Sequence, residues 1–237
     1  NALEVGSSSK RTDVKISKGD FVDSFTKFLV DESVQSAFFS NYPLVQLETL
    51  KNHKIFLENN LDKSETFFSD WIDEDNGKYR KQRCLIFGIE FVDPKREGEL
   101  NRKRFDILAE QNRQYHVLIE LKSPTAEIFK VSERPNQNEG ITTEYHLSEE
   151  MARAIPQVLG YKKWYENANS EQLQAMGIKS RKKISKCIIV IGNRKKDDEV
   201  WIENFESLRN SLNIELWTYS DLIDKLENTI KNLKENL

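Results

Sequence analysis

The chain has 237 residues, of which 38% are hydrophobic and 32% charged, with 13 Phe and 4 Trp. That suits one sizeable α/β domain with an accessory region, or two small domains, and is too apolar for a disordered protein. A formal net charge of −3 excludes a uniformly basic nucleic-acid coat, so any contact with phosphate has to come from local clusters.

Cys84 and Cys187 lie in apolar, strand-like runs and form no C-x-x-C pair, which reads as reduced core thiols in a cytoplasmic protein. His53, His116 and His146 are isolated and lack zinc-ligand spacing. There is no signal-peptide pattern and no apolar run long enough to span a membrane. Asn1-Ala2 resembles the scar of a cleaved tag, and the polar start suggests a piece of a longer protein.

Residues 1–19 are polar and rich in Ser and Lys, a linker or frayed end. Residues 20–60 read as a helical N-terminal extension. Phe21, Phe25, Phe28 and Leu29, then Val34, Ala37 and Phe38, keep helical spacing up to Pro43, and a further helix covers about Leu44 to Leu61. The main domain, 61–237, opens on a helix over Lys63 to Ile72, with Phe67, Phe68, Trp71 and Ile72 on one face and Glu65 almost opposite. An acidic turn and the basic run 78–83 follow. Cys84 to Val92 then predicts a first core strand, and Asp93-Pro-Lys-Arg-Glu-Gly98 a turn.

Next come Arg104-Phe-Asp-Ile-Leu-Ala109, which alternates, and His116-Val-Leu-Ile-Glu-Leu-Lys122, an apolar run broken by Glu120. Both read as strands, joined by a polar hairpin loop. A turn centred near Asn112 and Arg113 sets Asp106 opposite Ile119 and diagonal to Glu120. Strand alternation puts Glu120 and Lys122 on one face. Two acids and an ammonium thus converge within apolar sequence, which is costly unless something such as a divalent cation pairs them.

The polar stretch from Thr125 to Thr143, with Pro135, Asn136, Asn138 and Gly140, predicts a long loop or lid. Ser148 caps a helix running to about Glu166, with an apolar face of Met151, Ile155, Val158 and Leu159, an expected kink at Pro156, and Gln157 on the flank with Tyr161 and Trp164. Cys187 to Ile191 is a buried strand, followed by a helix near 198–212, a strand near 214–219 and a closing helix from Asp221. Its stripe of Leu222, Leu226, Ile230, Leu233 and Leu237 suits core packing, with a subunit contact as the alternative.

Asp106 followed a hairpin later by Glu120-Leu121-Lys122 resembles the PD-(D/E)xK nuclease superfamily, with Arg104-Phe105 where the motif's proline often stands. Ile119-Glu-Leu-Lys-Ser-Pro124, the segment Ser148 to Tyr161, Lys186 to Gly192 and Ile214 to Leu222 are similar to the nuclease domain of the Shedu anti-phage defence proteins, over roughly residues 60 to 225. The resemblance implies an α/β restriction-endonuclease-like core over 61–237, a mixed central sheet flanked by helices. It implies a metal-dependent DNA endonuclease in antiviral defence, and a homo-oligomer, dimer or tetramer.

Mg2+, with Mn2+ as a substitute, suits a shell of carboxylates and carbonyls. Asp106 and Glu120 are the expected ligands, and the resemblance adds the Leu121 carbonyl. Lys122 would stand beside the attacking water, and the resemblance turns Gln157 toward the metal. Glu65 is the positional candidate for a third acid, with Glu32 its competitor. Lys81, Arg83, Arg102, Arg104, Lys162, Lys182, Lys183 and Arg194 are candidate phosphate contacts to double-stranded DNA. No base-reading motif accompanies them, so DNA form is expected to govern specificity. The alternatives are a non-catalytic nucleic-acid-binding domain on the same fold, and a restriction or repair nuclease of the superfamily.

Overall fold

The computed structural model describes residues 43–88, 91–96, 105–111, 114–135, 141–175, 177–178 and 180–235. The expected linker over 1–19, the helices before Pro43 with Glu32, and Arg102 and Arg104 lie outside the described residues. The chain divides into two units, 1–48 with Leu237, and 49–236. Of the first, only the opening of helix α1 (Pro43–Asn59) is described.

Leu50, His53 and Leu57 form the buried stripe of α1, at helical spacing. Helix α2 (Glu65–Asp73) starts where Ser64 accepts a hydrogen bond from the Phe67 N–H at 3.2 Å, an N-cap that fixes the position of Glu65 in the first turn. Phe68 and Ile72 are the buried side of α2. A helical turn, α3 (Arg80–Arg83), runs into a 3-10 turn over Cys84–Ile86.

Here the structure corrects the sequence reading. The first strand is not Cys84 to Val92 but β1 (Phe91–Arg96), which includes the Asp93-Pro94 pair expected to turn. Its pairing with β2 (Ile107–Gln111) is irregular between Val92 and Lys95. β1 is an edge strand, and an irregularity on an edge is where a sheet accepts a proline that has no N–H to donate.

The main sheet has the order β1-β2-β3-β6-β7, with β3 (Tyr115–Leu121), β6 (Ile184–Val190) and β7 (Glu215–Trp217). β1, β2 and β3 are antiparallel, whereas β3, β6 and β7 run parallel, so the sheet is mixed. β3 and β6 are central and almost wholly buried, as the continuous apolar runs foretold. Leu108, Leu118 and Ile189 share a core with Met151, Ala154, Val158 and Tyr165 of α4 (Glu149–Asn167), and with Trp201 and Phe205 of a later helix. α4 runs through Pro156 as a single element.

The second correction concerns the expected loop after Thr125. It contains a hairpin, β4 (Phe129–Pro135) paired antiparallel with β5 (Ile141–Leu147), which forms a separate two-stranded sheet. Phe129 is buried against the rings of Tyr145 and Trp201, but most of the ribbon is exposed on both faces. A ribbon without a buried face has no reason to alternate apolar and polar residues, and that alternation is the usual sequence signal for a strand.

A short α5 (Ser170–Ala175), α6 (Glu199–Ser211) and α7 (Tyr219–Glu235) complete the fold. Leu222, Leu226 and Ile230 of α7 are buried, which is the core role expected for that stripe. Both cysteines are buried and free, and burial pushes the Cys84 thiol up to about 12 and that of Cys187 to about 11, which leaves them unreactive. Among the described residues no helix is long and apolar enough to cross a membrane.

Candidate active site

The hairpin that carries the acids is in place, with its register moved by one residue. Ile107 pairs with Ile119, so Asp106, one step before β2, is not opposite Ile119 as the sequence reading had it; the same register carried on by one residue runs toward Glu120.

Asp106 Oδ2 accepts a hydrogen bond from the Leu121 N–H at 2.7 Å. A strand residue turns its N–H and C=O to the same edge, so the Leu121 carbonyl faces the edge that Asp106 occupies. Glu120 is 1% exposed. Its Oε1 accepts from Lys122 Nζ at 2.8 Å, while Oε2 is buried with no hydrogen-bond partner among the described residues. Lys122 Nζ also lies 3.6 Å from Glu65 Oε2 on the first turn of α2. The ammonium is therefore held between an acid from β3 and an acid from α2.

The electrostatics follow from burial. Desolvation pushes the Glu120 carboxyl up to about 8, and the nearby charge of Asp106 pushes the same way; the Lys122 ammonium offsets only part of this. Burial works against the charge of Lys122, but Glu120, then Glu65 and Asp106, hold its pKa above the ordinary lysine value. Among the described residues, the Lys122 ammonium is drawn in beside the two acids.

Gln157 projects from α4, and its Nε2 donates to the Tyr161 hydroxyl at 2.8 Å. Burial raises the Tyr161 pKa, and the fields of Glu120 and Asp106 raise it further against the opposing effects of Gln157 and Lys122. The Gln157–Tyr161 pair thus lies within electrostatic reach of the acids. Two residues with no role in the sequence reading also touch this region. The Tyr219 hydroxyl donates to the Lys122 carbonyl at 2.9 Å, and the Ser123 hydroxyl to the Lys63 carbonyl at 3.2 Å. The signal available was only their position, directly after the Glu-x-Lys and in the Ile214 to Leu222 segment.

The candidate phosphate contacts are less uniform. Arg83 bonds to the Trp71 carbonyl and pairs with Glu74; Lys182 pairs with Glu110 at 2.6 Å; Arg194 pairs with Asp221 and Asp224. Lys81 and Lys183 are exposed and Lys162 is half-buried. Among the described residues, no group of three or more His, Cys, Asp or Glu is arranged to hold a metal ion. What the structure does assemble is two carboxylates, a backbone edge and an unpartnered carboxylate oxygen, a donor set of hard oxygens that fits a magnesium-like ion.

No curated protein matches the chain. The family model described as Shedu protein SduA, C-terminal, matches residues 30–223, well over half of the sequence. That span takes in Glu65, the Asp106 and Glu120 hairpin, Gln157 and Tyr219. The family suggests a part in anti-phage defence, and the chain belongs to it: a Shedu protein, matched through the SduA C-terminal region.

Proposed function

We propose that the protein is a metal-dependent endonuclease of the PD-(D/E)xK type that hydrolyses phosphodiester bonds in double-stranded DNA, as an effector of anti-phage defence. One observation carries the reading: Asp106, bonded to the Leu121 N–H, stands close enough to raise the pKa of Glu120, with Lys122 bound to one Glu120 oxygen and the other oxygen buried without a hydrogen-bond partner among the described residues. A buried, half-satisfied carboxylate beside a second acid is costly to the fold, and such a cost is commonly found where charge has a task.

In this reading Asp106, Glu120 and the Leu121 carbonyl would hold Mg2+, or Mn2+ in its place. The ion, when bound, supplies Lewis-acid stabilisation of phosphate charge and an acidified water. The chain's own residues do the rest. Lys122 holds a proton at Nζ beside Glu120, where it can orient a water and meet charge developing on the phosphate. Gln157, fixed by Tyr161, would orient a phosphate oxygen or water from the α4 side. Glu65 would act through Lys122, setting the position and charge of the ammonium. Exposed lysines such as Lys81 and Lys183, and the half-buried Lys162, would meet the DNA backbone without reading bases. The assembly implied by the resemblance is a dimer or tetramer, and the buried, unpaired cysteines suit a cytoplasmic protein.

The test is cleavage of supercoiled and linear plasmid in Mg2+ against EDTA, beside Glu120→Ala. Cutting that needs the metal and vanishes in the variant is the expected result. Tight, salt-sensitive DNA binding with no cutting would replace the nuclease with a binding module. Neither binding nor cutting would remove DNA as the partner.

A further inference from the structure

Lys122 lies just past the last residue of β3, where a strand has lost the ladder that fixes it. Yet its peptide is held on every side. Its N–H donates to the Val190 carbonyl at 2.8 Å, and its carbonyl accepts from the Tyr219 hydroxyl at 2.9 Å. The next residue accepts at its carbonyl from the Gly192 N–H at 3.0 Å, and Gly192 in turn accepts from the Tyr219 N–H at 3.0 Å. Gly192 has φ +62, and a Cβ there would come within 2.5 Å of the Ala126 carbonyl oxygen, so only glycine fits this junction.

The same segment is tied to α2. The Ser123 hydroxyl donates to the carbonyl of Lys63, directly before the Ser64 cap and Glu65. The Tyr219 ring, 1% exposed, packs on Phe68 of α2 with centroids 4.9 Å apart. Two hydroxyls from outside the acid cluster therefore join the end of β3, the start of α2 and the start of α7.

We infer that Tyr219 and Ser123 are positioning residues, which clamp the Lys122 end of β3 against the start of α2 so that the Lys122 ammonium lies between Glu120 and Glu65. The inference deepens the nuclease reading and rests on it for its effect on cleavage, though not for its effect on the backbone. Tyr219→Phe keeps the ring that packs on Phe68 and removes only the hydroxyl, so the Lys122 carbonyl loses its buried donor. Ser123→Ala removes the tie to Lys63, together with the hydroxyl's contacts to the Thr125 N–H and Oγ1, and leaves the strand.

The experiment has two readouts. In metal-free protein, amide exchange over residues 118–124 is expected to quicken at least tenfold in Tyr219→Phe, and over 61–66 in Ser123→Ala, with α6 unchanged in both. In single-turnover cleavage with Mg2+, Tyr219→Phe is expected to lower the rate about tenfold with unchanged DNA affinity, and to add nothing to the loss caused by Lys122→Ala. Unchanged exchange at those segments overturns the inference, as does a Tyr219→Phe loss that multiplies with that of Lys122→Ala. If the wild type does not cut, the nuclease reading fails by itself, and the exchange measurement alone decides whether the clamp exists.

Discussion

Strand β3 carries a buried polar cluster at each end, and the two are built on opposite principles. At its start, His116 is 2% exposed; its Nδ1 meets the Tyr165 hydroxyl at 2.5 Å and its Nε2 lies 3.6 Å from Glu110. Glu110 pairs with Lys182 at 2.6 Å, and the Tyr165 hydroxyl accepts from the Lys182 N–H at 3.2 Å. Donors and acceptors there close on one another. At the other end, Glu120 Oε2 has no hydrogen-bond partner among the described residues, and the carboxyl is pushed up to about 8 by burial and by Asp106. A satisfied cluster stabilises a fold, whereas one that stays unsatisfied costs stability, and such a cost is commonly found where charge has a task.

The sharpest way to separate the ends is by activity. Glu120→Ala and Lys122→Ala are expected to lower plasmid cleavage by about 10²–10³-fold or more, the size of loss seen when a charge-stabilising group leaves an active site. Lys122→Ala should keep DNA affinity. Tyr165→Phe, at the other end of the strand, should cut within about threefold of wild type, because removing its hydroxyl's two hydrogen bonds, to His116 and from the Lys182 N–H, alters no reacting group. Equal losses at both ends would mean that the strand fails as a unit and that the contrast is empty.

Stability should reverse the ranking. His116→Ala opens a satisfied buried network and is expected to cost about 2–3 kcal/mol in urea unfolding. Glu120→Gln should do the opposite in EDTA. Since the folded Glu120 holds its proton up to about 8 while the unfolded one loses it near 4.5, metal-free protein loses stability as pH rises between those values. Below that window the penalty is absent, and above it the penalty is complete. The Tm of Glu120→Gln should therefore gain on wild type from pH 5 to pH 8, by about 2–4 °C for each kcal/mol relieved. A gap that does not change with pH would show that Glu120 keeps its charge in the fold without cost.

Much of this contrast was legible in the sequence, and the part that was not has physical causes. The acids stood out because charge inside a continuous apolar strand is conspicuous, and the hairpin loop between Asp106 and Glu120 is short enough to limit their register to within a residue. His116 did not stand out, because a histidine at a strand entrance shows its value only through Tyr165, 49 residues away. Tyr219 and Ser123 were hidden for the same reason: they act through backbone carbonyls, which no side-chain pattern records. The β4–β5 ribbon was missed because it buries neither face. Cys84 to Val92 was misplaced because an apolar run says that a segment is buried, not that it is extended; the 3-10 turn at Cys84–Ile86 is just as apolar.

The smallest expected effect is at Glu65, and it decides how far the unsatisfied end extends. Glu65 is 40% exposed and 3.6 Å from Lys122, a long pair in reach of water, where such pairs contribute about 0–1 kcal/mol. Glu110, its counterpart at the other end, is 18% exposed and binds its lysine at 2.6 Å. If Glu65 only steadies Lys122, Glu65→Gln should slow cleavage about three- to tenfold and leave the Mg2+ concentration for half-maximal rate unchanged. If Glu65 instead binds an ion, that concentration should rise at least tenfold, and the rate at low Mg2+ should fall far more than the rate at saturation. Titrating Mg2+ against cleavage rate for this one variant separates the two, because a side chain that acts through Lys122 changes how fast the site works, whereas a ligand changes how readily it fills.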